Sequence, residues 1–171
     1  MKLVFVLLIS LQLFFLGCSE GTNKKIVKDY YEKINLLVLS EGRIGEEYYF
    51  KEPSSKGILE YKVKYLGCIK TSQGHNLKFL NNIVLSGLNE DSKRASCSVD
   101  IYDNSDNKIG YYYVGGAIDA PEKIEGGKLV FNYNNDRCNQ FTAISFVDSI
   151  PNQIFVSCSK EGGDIYTFSK E

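Results

Sequence analysis

The stretch Glu60-Tyr61-Lys62-Val63-Lys64-Tyr65-Leu66 alternates bulky apolar with charged side chains. Successive side chains of an extended strand point to opposite sides of a sheet. Tyr61, Val63 and Tyr65 therefore share one face and Lys62 and Lys64 the other, which is the pattern of a strand with one side on a core. A period of two sets in from about residue 46. It recurs over residues 77–88, 95–102, 108–118, 128–133, 141–147, 153–159 and 164–168. Turn chemistry separates these runs, in Asp103-Asn104-Ser105-Asp106-Asn107, residues 121–127, Asn134-Asn135-Asp136, Ser149-Ile150-Pro151-Asn152 and Glu161-Gly162-Gly163. Many short strands at such spacing predict a mainly β chain, an antiparallel meander closing as a barrel or a two-sheet sandwich.

Ahead of the strands the period changes. Residues 24–40 place Ile26, Val27, Tyr30, Tyr31, Ile34, Leu37 and Val38 at helical spacing. Thr22 or Asn23 can cap the start, and Gly42 suits a left-handed stop. Lys25 with Asp29, and Lys28 with Glu32, are four-apart opposite charges worth ~0.2–0.5 kcal/mol each. The reading is one N-terminal amphipathic helix packed on a β-domain. Residues 26–35, Ile-Val-Lys-Asp-Tyr-Tyr-Glu-Lys-Ile-Asn, resemble the opening helix of nuclear-transport-factor-2-like domains. That resemblance implies an α+β alternative with more helix to follow.

The front of the chain reads as an address. Met1-Lys2, an apolar run over residues 3–16 and then Gly17-Cys18 make an export signal. The run is shorter than the ~20 residues that span a bilayer as a helix. Phe15-Leu16-Gly17-Cys18 resembles the lipobox of bacterial lipoproteins. In that class the signal, here residues 1–17, is removed and Cys18 is acylated, with palmitate among the acyl groups, so the partner at this end is a membrane. Ser19 in second position is similar to enterobacterial lipoproteins sorted to the outer membrane. The alternative is plain secretion after cleavage behind Ser19. Residues 18–23 are then a tether and 24–171 a single domain.

Cysteine usage fits export. Setting Cys18 aside leaves Cys68, Cys97, Cys138 and Cys158, an even set with the arithmetic of two disulfides and three connectivities. Pairing Cys68 with Cys97 and Cys138 with Cys158 closes the shortest loops. Cys97 lies in phase with Val99 and Ile101, and Cys158 with Ile154 and Val156, so both point at the core face. No CxxC spacing occurs, which argues against a redox motif or zinc knuckle.

Charge excludes one class of partner. Twenty Lys and Arg against 21 Asp and Glu give a formal net charge of −1, with the charges scattered, so a nucleic-acid backbone has no basic surface to bind. No nucleophile elbow, phosphate loop, dinucleotide fingerprint or zinc-protease motif is present. The single histidine, His75, sits in a turn-like stretch and reads as an exposed loop residue. Asp103, Ser105 and Asn107 alternate as in a calcium loop, but Lys108 and Val114 stand where Gly and Glu are needed; a hairpin turn is expected. Glu46-Glu47 and Glu90-Asp91 specify no acid–base pair. No catalytic constellation, cofactor or metal site is predicted.

Twelve tyrosines and no tryptophan are the remaining signal. In Tyr111-Tyr112-Tyr113 alternation turns at least one ring to water, offering a large contact area with a polar tip. The expectation is a lipid-anchored cell-envelope module that binds a protein or glycan through this triplet, with Tyr112 as the exposed ring. The alternatives are a structural or accessory part of an envelope assembly, a periplasmic inhibitor such as one of lysozyme, and a small envelope enzyme.

Overall fold

The computed structural model describes residues 29–52, 57–136 and 138–171. The expected export signal, lipidation at Cys18, tether and caps Thr22 and Asn23 lie outside them. The described residues begin with helix α1 (Tyr30–Glu41), followed among them by ten strands. Five run as a meander: β1 (Glu47–Lys51), β2 (Ile58–Lys70), β3 (Asn76–Gly87), β4 (Arg94–Tyr102) and β5 (Lys108–Gly115). Then come β6 (Lys123–Glu125), β7 (Lys128–Asn134), β8 (Asn139–Ser145), β9 (Gln153–Ser157) and β10 (Gly163–Lys170). All pairings are antiparallel. The large sheet has the order β1-β2-β3-β4-β5-β10-β9 and the small one β6-β7-β8. The fold is thus mainly β and sandwich-like, with no closed barrel among the described residues. The α+β alternative is not seen, because α1 leads directly into strands.

Helix α1 starts later than expected. Asp29 has extended backbone, and its carboxylate accepts the Glu32 N–H at 2.7 Å, so α1 is capped there. A short acid competes with helix-interior geometry and is favoured at a cap. Gly42 ends the helix at φ 64°, its N–H returning to the Val38 carbonyl. Ile34, Val38 and Leu39 are buried, whereas Leu37 is half-exposed and outside the stripe.

The large sheet carries a core on each side. On one side α1 packs over Tyr61, Val63, Tyr65, Leu80 and Tyr102. On the other the small sheet brings Leu129, Phe131 and Phe146 against Phe79, Val99, Ile101, Tyr112 and Val114. Strand β2 serves both cores because of a bulge between Tyr65 and Gly67. One extra residue reverses the alternation, so Tyr61, Val63 and Tyr65 face α1 while Ile69 faces the small sheet. Strand β1 falls where the period of two was expected to set in, from about residue 46, whereas the three-residue β6 inside the turn-like residues 121–127, whose Ile124 packs on the core, was not foreseen. Strand β5 stops at Gly115, short of residue 118.

The bulge also decides the cysteines. Cys138 and Cys158 form a disulfide as expected, joining the start of β8 to the end of β9. Beside it, Asn139 N–H donates to the Cys158 carbonyl and Ser157 N–H to Thr142 Oγ1, which seats the small sheet on the edge of the large one. The expected Cys68–Cys97 bond does not exist: both are free thiols. Strand β3 lies between them, and two strand spacings of ~4.8 Å exceed the ~7 Å reach of a disulfide between Cα atoms. The phase reversal in β2 also leaves Cys68 exposed on the α1 side, opposite Lys78, while Cys97 is buried on the far side.

Candidate functional site

Register aligns residues of the large sheet in rows on the α1 side. One row reads Tyr48, Val63, Asn82, Ser98, Tyr113, and the next Tyr65, Leu80, Asp100, Tyr111, Ser169. Both begin apolar beneath the helix; the first turns polar at Asn82 on β3 and the second at Asp100 on β4. Helix α1 covers the apolar part. The strands beyond β4 have no element on that side among the described residues.

A charged cluster marks the boundary. Asp100 is fully buried and lies 3.1 Å from Lys108, whose side chain is 17% exposed. The Tyr31 hydroxyl of α1 donates to Asp100 Oδ2 at 2.9 Å, and Ser98 Oγ to Oδ1 at 2.9 Å. Lys108 stands over the Tyr31 and Tyr111 rings at 5.4 and 4.8 Å and reaches Glu171 at 3.5 Å. Burial pushes Asp100 above the usual carboxylate range, against the downward pull of Lys108, Tyr31 and Ser98. Burial, then the Asp100 charge, raises the Tyr31 phenol too. Every group here is engaged by another, and the cluster fastens the first turn of α1 to β4. Next to it, Asn35 Nδ2 donates to the Tyr102 hydroxyl at 3.1 Å.

Beyond that boundary the sheet is open. Tyr113 is 57% exposed, and the directly paired Phe155 and Ile165 are 51% and 63% exposed. Their strand neighbours Tyr112, Val114, Ile154 and Val156 belong to the core on the other side, which fixes the facing of all three. Of the tyrosine triplet, Tyr113 is the ring that meets water. Tyr111 is half-buried against Lys108. Tyr112, expected to be exposed, is fully buried against Phe146 and Phe168, and its hydroxyl donates to the Pro151 carbonyl. Alternation was read rightly, but which side carried the larger core depended on the small sheet, which is distant in sequence. Phe155 and Ile165 were missed for the same reason: each reads as an ordinary strand residue until β9 and β10 are seen to lie beyond the helix.

The other candidates are not brought together. His75 is exposed on the β2–β3 loop, at the rim of a cleft of about 450 Å³ shared with Asp103 and Asp148. Its backbone N–H, not its ring, bonds Thr71 Oγ1. The Asp103 carboxylate accepts from Ser105 N–H, Asn107 N–H and Asn107 Nδ2, closing the hairpin. Among the described residues no group of three His, Cys, Asp or Glu is placed to hold a metal. Glu46 pairs with Arg43 and Glu90 with Lys93, both at the surface. No family model, curated protein or solved structure matches the chain.

Proposed function

We propose that the chain is a lipid-anchored binding module of the bacterial cell envelope, tethered through an acylated Cys18, that engages its partner on the open half of the α1 side. The signal-like residues 1–17 support the address. The binding reading rests on one observation: α1 stops at β4 and leaves Tyr113, Phe155 and Ile165 exposed on neighbouring strands. Clustered exposed apolar side chains on a folded domain mark interaction surfaces. The Asp100–Lys108 network is read as the seat of α1, since its groups are already satisfied by one another.

Two measurements on the full-length protein test this. In detergent phase partition the wild type should enter the detergent phase and Cys18→Ala the aqueous phase; wild type left in the aqueous phase would remove the anchor. In cosedimentation with envelope fragments, Tyr113→Ser combined with Phe155→Ser should weaken binding about tenfold, with Tyr49→Ser unaffected. Unchanged binding by the double variant would overturn the surface.

A further inference from the structure

We infer that the open face binds a neutral, linear oligosaccharide, laid across the strands from β5 to β9. The inference rests on the reading of this face as the binding surface and names its ligand.

Charge is the first argument. The α1-side positions beyond the helix include Ser98, Tyr113, Ile165, Thr167, Gln153 and Phe155, and none is an acid or a base. These six uncharged positions reach over four strands. At their border the charged groups Asp29, Asp100, Lys108, Lys170 and Glu171 line one cavity with Ser98, where Lys108 pairs with Asp100 and Glu171. A phosphate, an acidic peptide or an anionic lipid finds no countercharge on the six positions themselves.

Chemistry is the second. Thr167 and Gln153 are cross-strand partners, with Gln153 Nε2 3.4 Å from Thr167 Oγ1. A hydroxyl and an amide each offer both donor and acceptor capacity. Sugars present hydroxyls of the same dual character around apolar C–H faces. Tyr113, Phe155 and Ile165 supply the flat apolar surface such faces pack on, and the Tyr113 hydroxyl adds a polar tip. The polar pair Thr167 and Gln153 lies in the row of Tyr113, directly beside the apolar pair Ile165 and Phe155, so polar and apolar side chains alternate along β9 and β10 as hydroxyls and C–H faces do along a sugar chain.

Shape is the third. Tyr113 on β5 and Phe155 on β9 are separated by β10, two strand spacings or ~10 Å. An open platform of ~10 Å holds about two sugar rings in line. A single sugar would need the enclosure that a cleft gives.

The test is titration of the full-length protein, in mild detergent, with short linear oligomers of N-acetylglucosamine, glucose, mannose and galactose, followed by NMR. At least one series should bind, with affinity rising with chain length and unchanged between low and high salt. Its shifts should centre on Tyr113, Thr167 and Phe155. Tyr113→Ala and Phe155→Ala should each weaken it by about tenfold at unchanged melting temperature, and Tyr49→Ala should not. Absence of binding by all four series overturns the glycan assignment, as does binding that falls with salt. If envelope binding still depends on Tyr113 and Phe155 and disappears on protease treatment of the envelope, the ligand is a protein and only the glycan assignment falls. If envelope binding ignores both residues, the binding surface falls as well.

Discussion

Asp100 and Lys108 meet 3.1 Å apart at the line where the helix-covered half of the large sheet gives way to its open half. Their partners come from three places: Tyr31 from α1, Ser98 from the same strand as Asp100, and Glu171 from the chain end. A buried carboxylate is tolerable only while such partners hold, because removing one leaves an uncompensated charge in a poorly polarisable setting.

Lys108→Met, which keeps the aliphatic stem, should therefore destabilise the fold by about 3–5 kcal/mol. Urea unfolding measures it. A loss below about 1 kcal/mol would mean that water reaches Asp100.

The same carboxylate sets a pH dependence. Its folded pKa is raised by burial, so the folded chain holds this proton more tightly than the unfolded chain does. Its contribution to stability is full below the unfolded value of about 3.9 and is lost as pH rises through the folded value. Measured against Asp100→Asn, the wild type should lose relative stability as pH climbs from about 4. A relative gain over that range would give the sign to Lys108 instead.

Tyr112→Ala should cost about 3–5 kcal/mol, since it empties a fully buried ring site between Phe146 and Phe168. Tyr112→Phe should cost about 1 kcal/mol, the hydrogen bond to Pro151 alone. Thermal melts of the two variants separate ring from hydroxyl; equal losses would assign the whole effect to the bond.

Asn82 gives the opposite expectation. It is 1% exposed beneath α1, and neither its amide nitrogen nor its amide oxygen has a partner among the described residues. Asn82→Leu should raise stability, by about 1–3 kcal/mol, as an unsatisfied polar group is replaced by an apolar one. Destabilisation would place a bound water on that amide.

Thiol reactivity follows burial. Native protein exposed to iodoacetamide near pH 8 should be modified at Cys68 and not at Cys97, whose thiol is buried and pushed up to about 12. Cys97 should react only in denaturant, and Cys138 and Cys158 only after reduction. Peptide mass spectrometry reads all four sites, and native labelling of Cys97 would contradict its place in the core.

Strand existence was legible locally. The 60–66 alternation and its counterparts place most strands, and Asp103–Asn107 hydrogen bonding closes the turn its composition suggests. Period and turn chemistry are properties of neighbours in the chain. A bulge is not: the residue that reverses β2, and with it the fate of Cys68, is marked only by Gly67. Helix α1 was visible by its stripe, but its start is set by the cap that the Asp29 carboxylate supplies.

The sequence by itself determined a mainly β chain with a leading helix, because alternation and turn propensity act over a few residues. Which cysteines pair depended instead on where the strands lie in the sheets. Only the tertiary structure decided which side of each strand is buried. Tyr112 went inward and Tyr113 outward because a small sheet closes one side of the large sheet and α1 covers only half of the other. That asymmetry arises from packing between segments far apart in the chain, and no local pattern encodes it.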